Sequence, residues 1–289
     1  MRRVEFLMPG LAVLSGLVLS GSAPAADEKK PSYAVQTVKD VVYYDGPGQH
    51  KVKHKLDLYL PRGLKDFPVL FFVHGGAWVH GDKDFFGLYG LFAASYVRQG
   101  VGVVVTNYRL SPAIQHPEHI KDVARAFAWC HKNIATYGGR ADRIFVCGHS
   151  AGAHLVSLLA SDESYLKEHG LTSKAIRGVI PISGPMIIPA RFMPRVFGTD
   201  EEVRKKASPI THVRKGLPPF LVLYADKDLP GCDGRQAERF CKACKGQGNK
   251  VELVEIKNSD HIRIMVSAGD AKHLVFDSIL GFIRENSEK

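Results

Sequence analysis

Four continuous apolar runs, FPVLFFVHGG, GVGVVVTNYRL, RIFVCGHS and PFLVLYADKD, interrupt a chain that elsewhere mixes polar and apolar positions. Runs of this kind, rich in Val, Leu and Phe, predict strands buried on both faces. HKLDLYLP alternates apolar and polar residues instead, which predicts a half-exposed strand. Between the runs the period changes. Residues 116–137 place Ile120, Val123, Ala124, Phe127, Ala128 and Ile134 on one stripe of a helix, and residues 150–161 read as a second helix. Strand, helix, strand, helix in that order predicts an α/β fold, a mostly parallel central sheet with helices on both faces. No change of composition divides residues 41–289, so they are expected to form one domain. Within it, residues 185–209 are expected to cross the surface as a partial lid.

The first residues follow neither period. Arg2 and Arg3 precede an apolar run from about Leu11 to Leu19 and then GSAPAA. This layout predicts a secretory signal peptide over residues 1–25, cut after Ala25 or Ala26, and hence export to the periplasm or the extracellular space. An uncleaved anchor is the alternative, but the run is shorter than a membrane span requires, so no stable membrane insertion is expected. Residues 26–40 are polar and are expected to form a flexible lead-in.

The formal charge of +10 changes little without residues 1–25, which hold two arginines and one glutamate. Lysines and arginines are scattered, with short clusters at residues 51–55 and 204–206 that suit solvated faces. No nucleic-acid-binding motif is present, and the pattern sets no oligomeric state. Of five cysteines, Cys130 and Cys147 fall in a predicted helix and strand and read as core. Cys232, Cys241 and Cys244 share one short stretch, which in an oxidising compartment predicts a small disulfide. Free thiols and a zinc site lacking a fourth ligand are the alternatives.

Ligands of parallel sheets sit at the carboxyl ends of strands, and here those ends carry HGGAW, GHSAG, DKD and NSDH. His149 and His154 invite a metal reading. Their spacing of five turns them roughly 140° apart on a helix, against about 40° for the usual spacing of four, so they do not share an ion. Gly148-His149-Ser150-Ala151-Gly152, set between strand and helix, instead fits a serine nucleophile on a sharp turn whose flanking glycines remove clashing side chains. The consecutive glycines of HGGAW let backbone amides approach a substrate. Those of Gly76, Ala77 and Ala151 are the expected oxyanion donors, with Gly75 close by. His74 reads as structural. The acid is expected after a later strand, at Asp228 in preference to Asp226, and the unused aspartate is expected to cap the next helix. Of thirteen histidines only His261 and His273 follow Asp228, and His261 stands after the strand KVELVEI, where a general base belongs.

In chain order HGGAW, NYRLSP, YGGRADRIFVCGHSAGAHL, SPITHV and DHIRI resemble the α/β-hydrolase superfamily, over roughly residues 41–283. Within it they resemble small esterases near the hormone-sensitive-lipase-like and the feruloyl and acetyl-xylan esterase groups. HGGAW with GHSAGAHL is also similar to kynurenine formamidase. The resemblance implies an α/β-hydrolase fold, a triad of Ser150, Asp228 and His261, and carboxylic ester hydrolysis with no cofactor and no metal. Ala77 departs from the usual third glycine, and little chain precedes the first strands, which implies a short or minimal cap. An open site of that kind suits short acyl, acetyl or feruloyl groups on small or polysaccharide-linked alcohols. A formamidase-like amide hydrolase is the alternative, weakened by the signal peptide. A catalytically inactive hydrolase-fold binding module is the alternative of another class.

Overall fold

The structure, a computed structural model, describes residues 32–288. The expected signal peptide lies outside the described residues. Eight strands form one sheet in the order β1-β2-β4-β3-β5-β6-β7-β8. They are β1 Val35–Val42, β2 Lys55–Pro61, β3 Phe67–Val73, β4 Gly102–Thr106, β5 Gly139–His149, β6 Gly178–Ile182, β7 Phe220–Lys227 and β8 Val251–Asp260. The pairs β1–β2 and β2–β4 are antiparallel; all others are parallel.

The apolar runs account for this arrangement. Val69 to Val73 of β3, all of β4 and all of β6 are wholly buried, because helices cover both faces. On one face α2 (Glu118–Asn133), α3 (Ala151–Ser161) and the helix Gly234–Gly246 share a core cluster that includes Phe71, Phe127, Leu155 and Phe240. On the other, α1 (Leu88–Val97) and the helix Leu274–Ser287 pack Phe92, Tyr96, Phe276 and Ile279 beneath Phe72 and Phe145.

Three expectations need correction. Residues 35–40, expected to be flexible, belong to β1 and pair with β2 from Val35 opposite Pro61 to Val42 opposite Lys55. Their polarity misled because an edge strand has a single neighbour, and Gln36, Thr37, Lys39 and Asp40 remain exposed. β2 itself is not half-exposed. It lies between β1 and β4, and the polar position of its alternation, Asp57, is buried and neutralised by Lys83 at 2.7 Å. The disulfide is absent: all five cysteines are free and buried. Cys241 and Cys244 sit three positions apart on the helix Gly234–Gly246 and join the core, and burial pushes their thiols, like that of Cys232, up to about 12.

Burial leaves several histidines neutral. It lowers His74 and His116 to about 4, and His119, His149 and His154 to about 3. In the unfolded chain each returns to about 6.5 and takes up a proton first. Stability is therefore complete above about pH 6.5 and falls as pH drops toward 4, where the unfolded state binds more protons. The melting temperature is expected to begin falling near pH 6.5, well above the carboxylate range. A melting temperature that stays level between pH 7 and pH 5 would contradict this account.

Candidate active site

Ser150 occupies the link between β5 and α3 with φ 57° and ψ −118°. A non-glycine residue in this region carries strain of about 1–3 kcal/mol, which the surroundings must over-determine. Its N–H donates to Ile182 O at 2.9 Å. The glycines two residues either side are steric requirements: a Cβ on Gly148 would lie 2.4 Å from the Gly152 carbonyl, and one on Gly152 would lie 2.0 Å from Val73 O. Although Ser150 stands at the N-cap of α3, its hydroxyl makes no capping bond. It meets His261 Nε2 at 2.9 Å instead.

His261 directly follows β8, and its Nδ1 lies 2.6 Å from Asp228 Oδ1. The Asp228 carboxylate is fully buried just beyond β7. Burial alone would raise its pKa, but bonds from His261, from the Ser183 hydroxyl and from the Ala225 amide outweigh that penalty and hold it below the ordinary value. Leu229 N–H adds a further bond at 2.8 Å. The structure thus brings Ser150, His261 and Asp228 into one hydrogen-bonded line. Asp226 stays outside it. It accepts the Asn258 and Ser259 amides, both at 2.9 Å, and so shapes the turn leading to His261; the following helix is capped by Asp233, not by Asp226.

The glycine turn after β3 runs through three successive positive φ values, at Gly76 (110°), Ala77 (52°) and Trp78 (60°). A Cβ on Gly76 would meet His80 O at 2.2 Å, so glycine is obligatory there. Gly76 and Ala77 share a cleft of about 370 Å³ with Ser150 and His261. Among the described residues no acceptor takes either amide. Ala151 is the first residue of α3, so its N–H has no intrahelical acceptor. His74 is structural as expected: its Nδ1 donates to Gly75 O at 2.7 Å, and it stacks on Tyr108.

Several residues that shape this site escaped the sequence reading. Lys53 donates to Gly81 O at 2.7 Å and pairs with Asp82 at 3.0 Å. Asn107 bonds Asp82 and accepts the Lys83 amide at 2.6 Å, while Lys83 reaches Asp57 and Asp40. These bonds clamp the downstream leg of the glycine turn. The signal was a charged GDKD directly after an apolar glycine turn, together with an aspartate inside an interior strand. Ser183, at φ 52°, gave no such signal.

Phe85, Leu88, Tyr89, Leu229, Ile262 and Met265 form the apolar wall of the cleft. The segment 185–209, expected to be a partial lid, does not line it. Phe192 and Phe197 pack on Trp78 instead, with ring centroids 6.3 and 4.9 Å away, and the buried Arg204 fastens the segment through the carbonyls of Pro189, Phe192 and Gly198. His149 and His154 are held apart, the first by His261 O at 2.8 Å and the second by Ala207 O at 2.7 Å.

A mostly parallel eight-stranded sheet with a strained serine turn after its fifth strand defines an α/β-hydrolase. Residues 56–187 match the BD-FAE family model. Esterase LipQ of Mycobacterium tuberculosis is 35% identical over 79% of this chain and 58% of its own length. The chain therefore spans little more than half of that relative. Kynurenine formamidase of Danio rerio is 27% identical over 91% of this chain and 87% of its own. A solved truncated carbohydrate esterase from gut microbiota superposes with a TM-score of 0.75 at 21% identity, covering 90% of this chain and 99% of that one, which shows the common fold.

The two aspartates separate experimentally. Asp228→Asn is expected to slow labelling of Ser150 by a fluorophosphonate by roughly three orders of magnitude, because the histidine loses its tautomer and orientation. Asp226→Asn is expected to leave labelling within about fivefold of wild type, since Asp226 touches only backbone amides. The reverse order would overturn the assignment.

Proposed function

We propose that the chain hydrolyses carboxylic esters by acyl transfer through Ser150. The observation that carries this reading is the line Ser150–His261–Asp228, whose serine and histidine line an accessible cleft. His261 takes the Ser150 proton as Oγ attacks the ester carbonyl, and Asp228 stabilises the imidazolium that forms. The amides of Gly76, Ala77 and Ala151 hold the oxyanion. His261 then protonates the departing alcohol, and water, activated by the same histidine, releases the acid. The esterase names of several relatives support the reading.

The substrates are short-chain acyl esters, with acetyl or feruloyl groups on small or polysaccharide-linked alcohols in first place. The apolar wall suits a small aliphatic or aromatic acyl group, and no residue of segment 185–209 closes the cleft over it. The pattern of residues 1–25 supports action after export. Formamide cleavage is a second reading, favoured by the length over which the chain matches the formamidase of Danio rerio.

Ser150→Ala is expected to abolish hydrolysis of p-nitrophenyl acetate while the melting temperature holds, and wild-type turnover in that variant would overturn the proposal. A folded wild-type protein that fails to react with a fluorophosphonate would mark a binding module instead. Turnover of aryl acetates, acetylated xylan and methyl ferulate is expected to exceed that of N-formylkynurenine; the opposite ranking would favour the formamidase reading.

A further inference from the structure

We infer that His149 is a positioning residue for His261, an inference that rests on the roles assigned above to Ser150, His261 and Asp228. His149 immediately precedes the nucleophile. Its ring reaches across to the loop after β8, where Nε2 meets the backbone carbonyl of His261 at 2.8 Å, with the two ring centroids 4.7 Å apart. A carbonyl only accepts, so Nε2 carries the hydrogen and Nδ1 is left as an acceptor. His149 is buried, 5% exposed. Burial, and then the neighbouring His261, lower His149 to about 3, so it stays neutral and adds no repulsion when His261 becomes cationic.

The loop carrying His261 is held on three sides. Asp226 fixes the residues before it, through Asn258 and Ser259, and Asp260 fixes those after it, through the amides of Ile262 and Arg263 at 3.0 and 2.8 Å. Those two carboxylates tie the loop to β7 and to itself. His149 ties it to the turn that bears the nucleophile, one peptide away from Ser150. Any drift of the end of β8 relative to β5 therefore carries His261 along with its partner and preserves the 2.9 Å contact. The ring also lies beside the glycine turn after β3, where a Cβ on Gly75 would stand 3.2 Å from His149 Nδ1.

Two substitutions test this role. His149→Phe keeps the ring volume and removes the donor, whereas His149→Gln keeps an N–H donor of similar reach. His149→Phe is expected to lower kcat on p-nitrophenyl acetate about tenfold or more, because small misplacements of a reacting group are costly. KM should stay within about twofold and the acidic limb of the pH–rate profile should move, with most of kcat restored in His149→Gln. A wild-type kcat and pH profile in His149→Phe would overturn the inference. So would equal losses in both variants that track a fall in melting temperature, which would mark a merely structural ring. Ser150→Ala, run beside them, keeps the two questions apart. Activity there defeats the underlying reading, whereas an inactive Ser150→Ala with an unimpaired His149→Phe defeats only the role of His149.

Discussion

The rest of the molecule depends on a turn with no room in it. At Ser150 the chain must leave β5 and enter α3 within one residue, and the left-handed conformation that achieves this is unfavourable for any side chain. It persists because the neighbourhood permits nothing else. α3 passes so close to the end of β3 that Gly152 lies against Val73 O, and the Ser150 amide is tied to β6 through Ile182. Three adjacent parallel strands thus fix one hydroxyl. The strain of about 1–3 kcal/mol is small beside the burial of β3, β5, β6 and α3, so the turn holds without distorting them.

The glycine turn after β3 has the opposite problem, because successive positive φ values at Gly76, Ala77 and Trp78 leave a loop with little regular structure to hold it. Two kinds of interaction hold it. Apolar packing of Phe192 and Phe197 against Trp78 secures one flank. On the other, Lys53, Asp82, Asn107, Lys83 and Asp57 form a partly buried polar chain anchored in β2. Such a chain adds little net stability by its charges, but breaking a buried pair leaves an uncompensated charge that costs roughly 3–5 kcal/mol. Its contribution is to exclude other loop geometries. This is why an aspartate sits in an interior strand whose other buried positions are hydrophobic.

Much of this was legible in the chain, and what was not has a common cause. Continuous apolar runs marked β3, β4, β5 and β7 because a strand covered on both faces has nowhere to place a polar residue. Ser150, His261 and Asp228 in preference to Asp226 stand out from motif order and from where a strand must end, and the structure places those three side chains together. The failures fall where long-range partners decide. Asp57 looked like an outward polar position because its lysine lies 26 residues away in another loop. Residues 35–40 looked flexible because an edge strand needs no apolar alternation. Segment 185–209 read as a lid because its course is set by Trp78 and Arg204, neither of which signals a direction in sequence.

Asp226 and Asp228 show how position, and not residue type, divides the labour around His261. Both are aspartates at the end of β7, two residues apart, and both carboxyls are held below their ordinary pKa. Asp226 is solvent-exposed, and its two bonds go to backbone amides of the approaching loop; with water competing, such bonds shape a turn and do little for a distant charge. Asp228 is buried, and its four partners include the ring of His261. In that low-dielectric setting its negative charge acts strongly on the imidazole, while Ser183 and the two amides prevent it from turning toward solvent. A carboxylate there orients the imidazole only because the Ser183 hydroxyl and the amides of Ala225 and Leu229 already hold it in place. The constraint that fixes Ser150 and the one that fixes Asp228 are therefore of the same kind: both groups sit where the parallel sheet runs out of regular structure but not of partners.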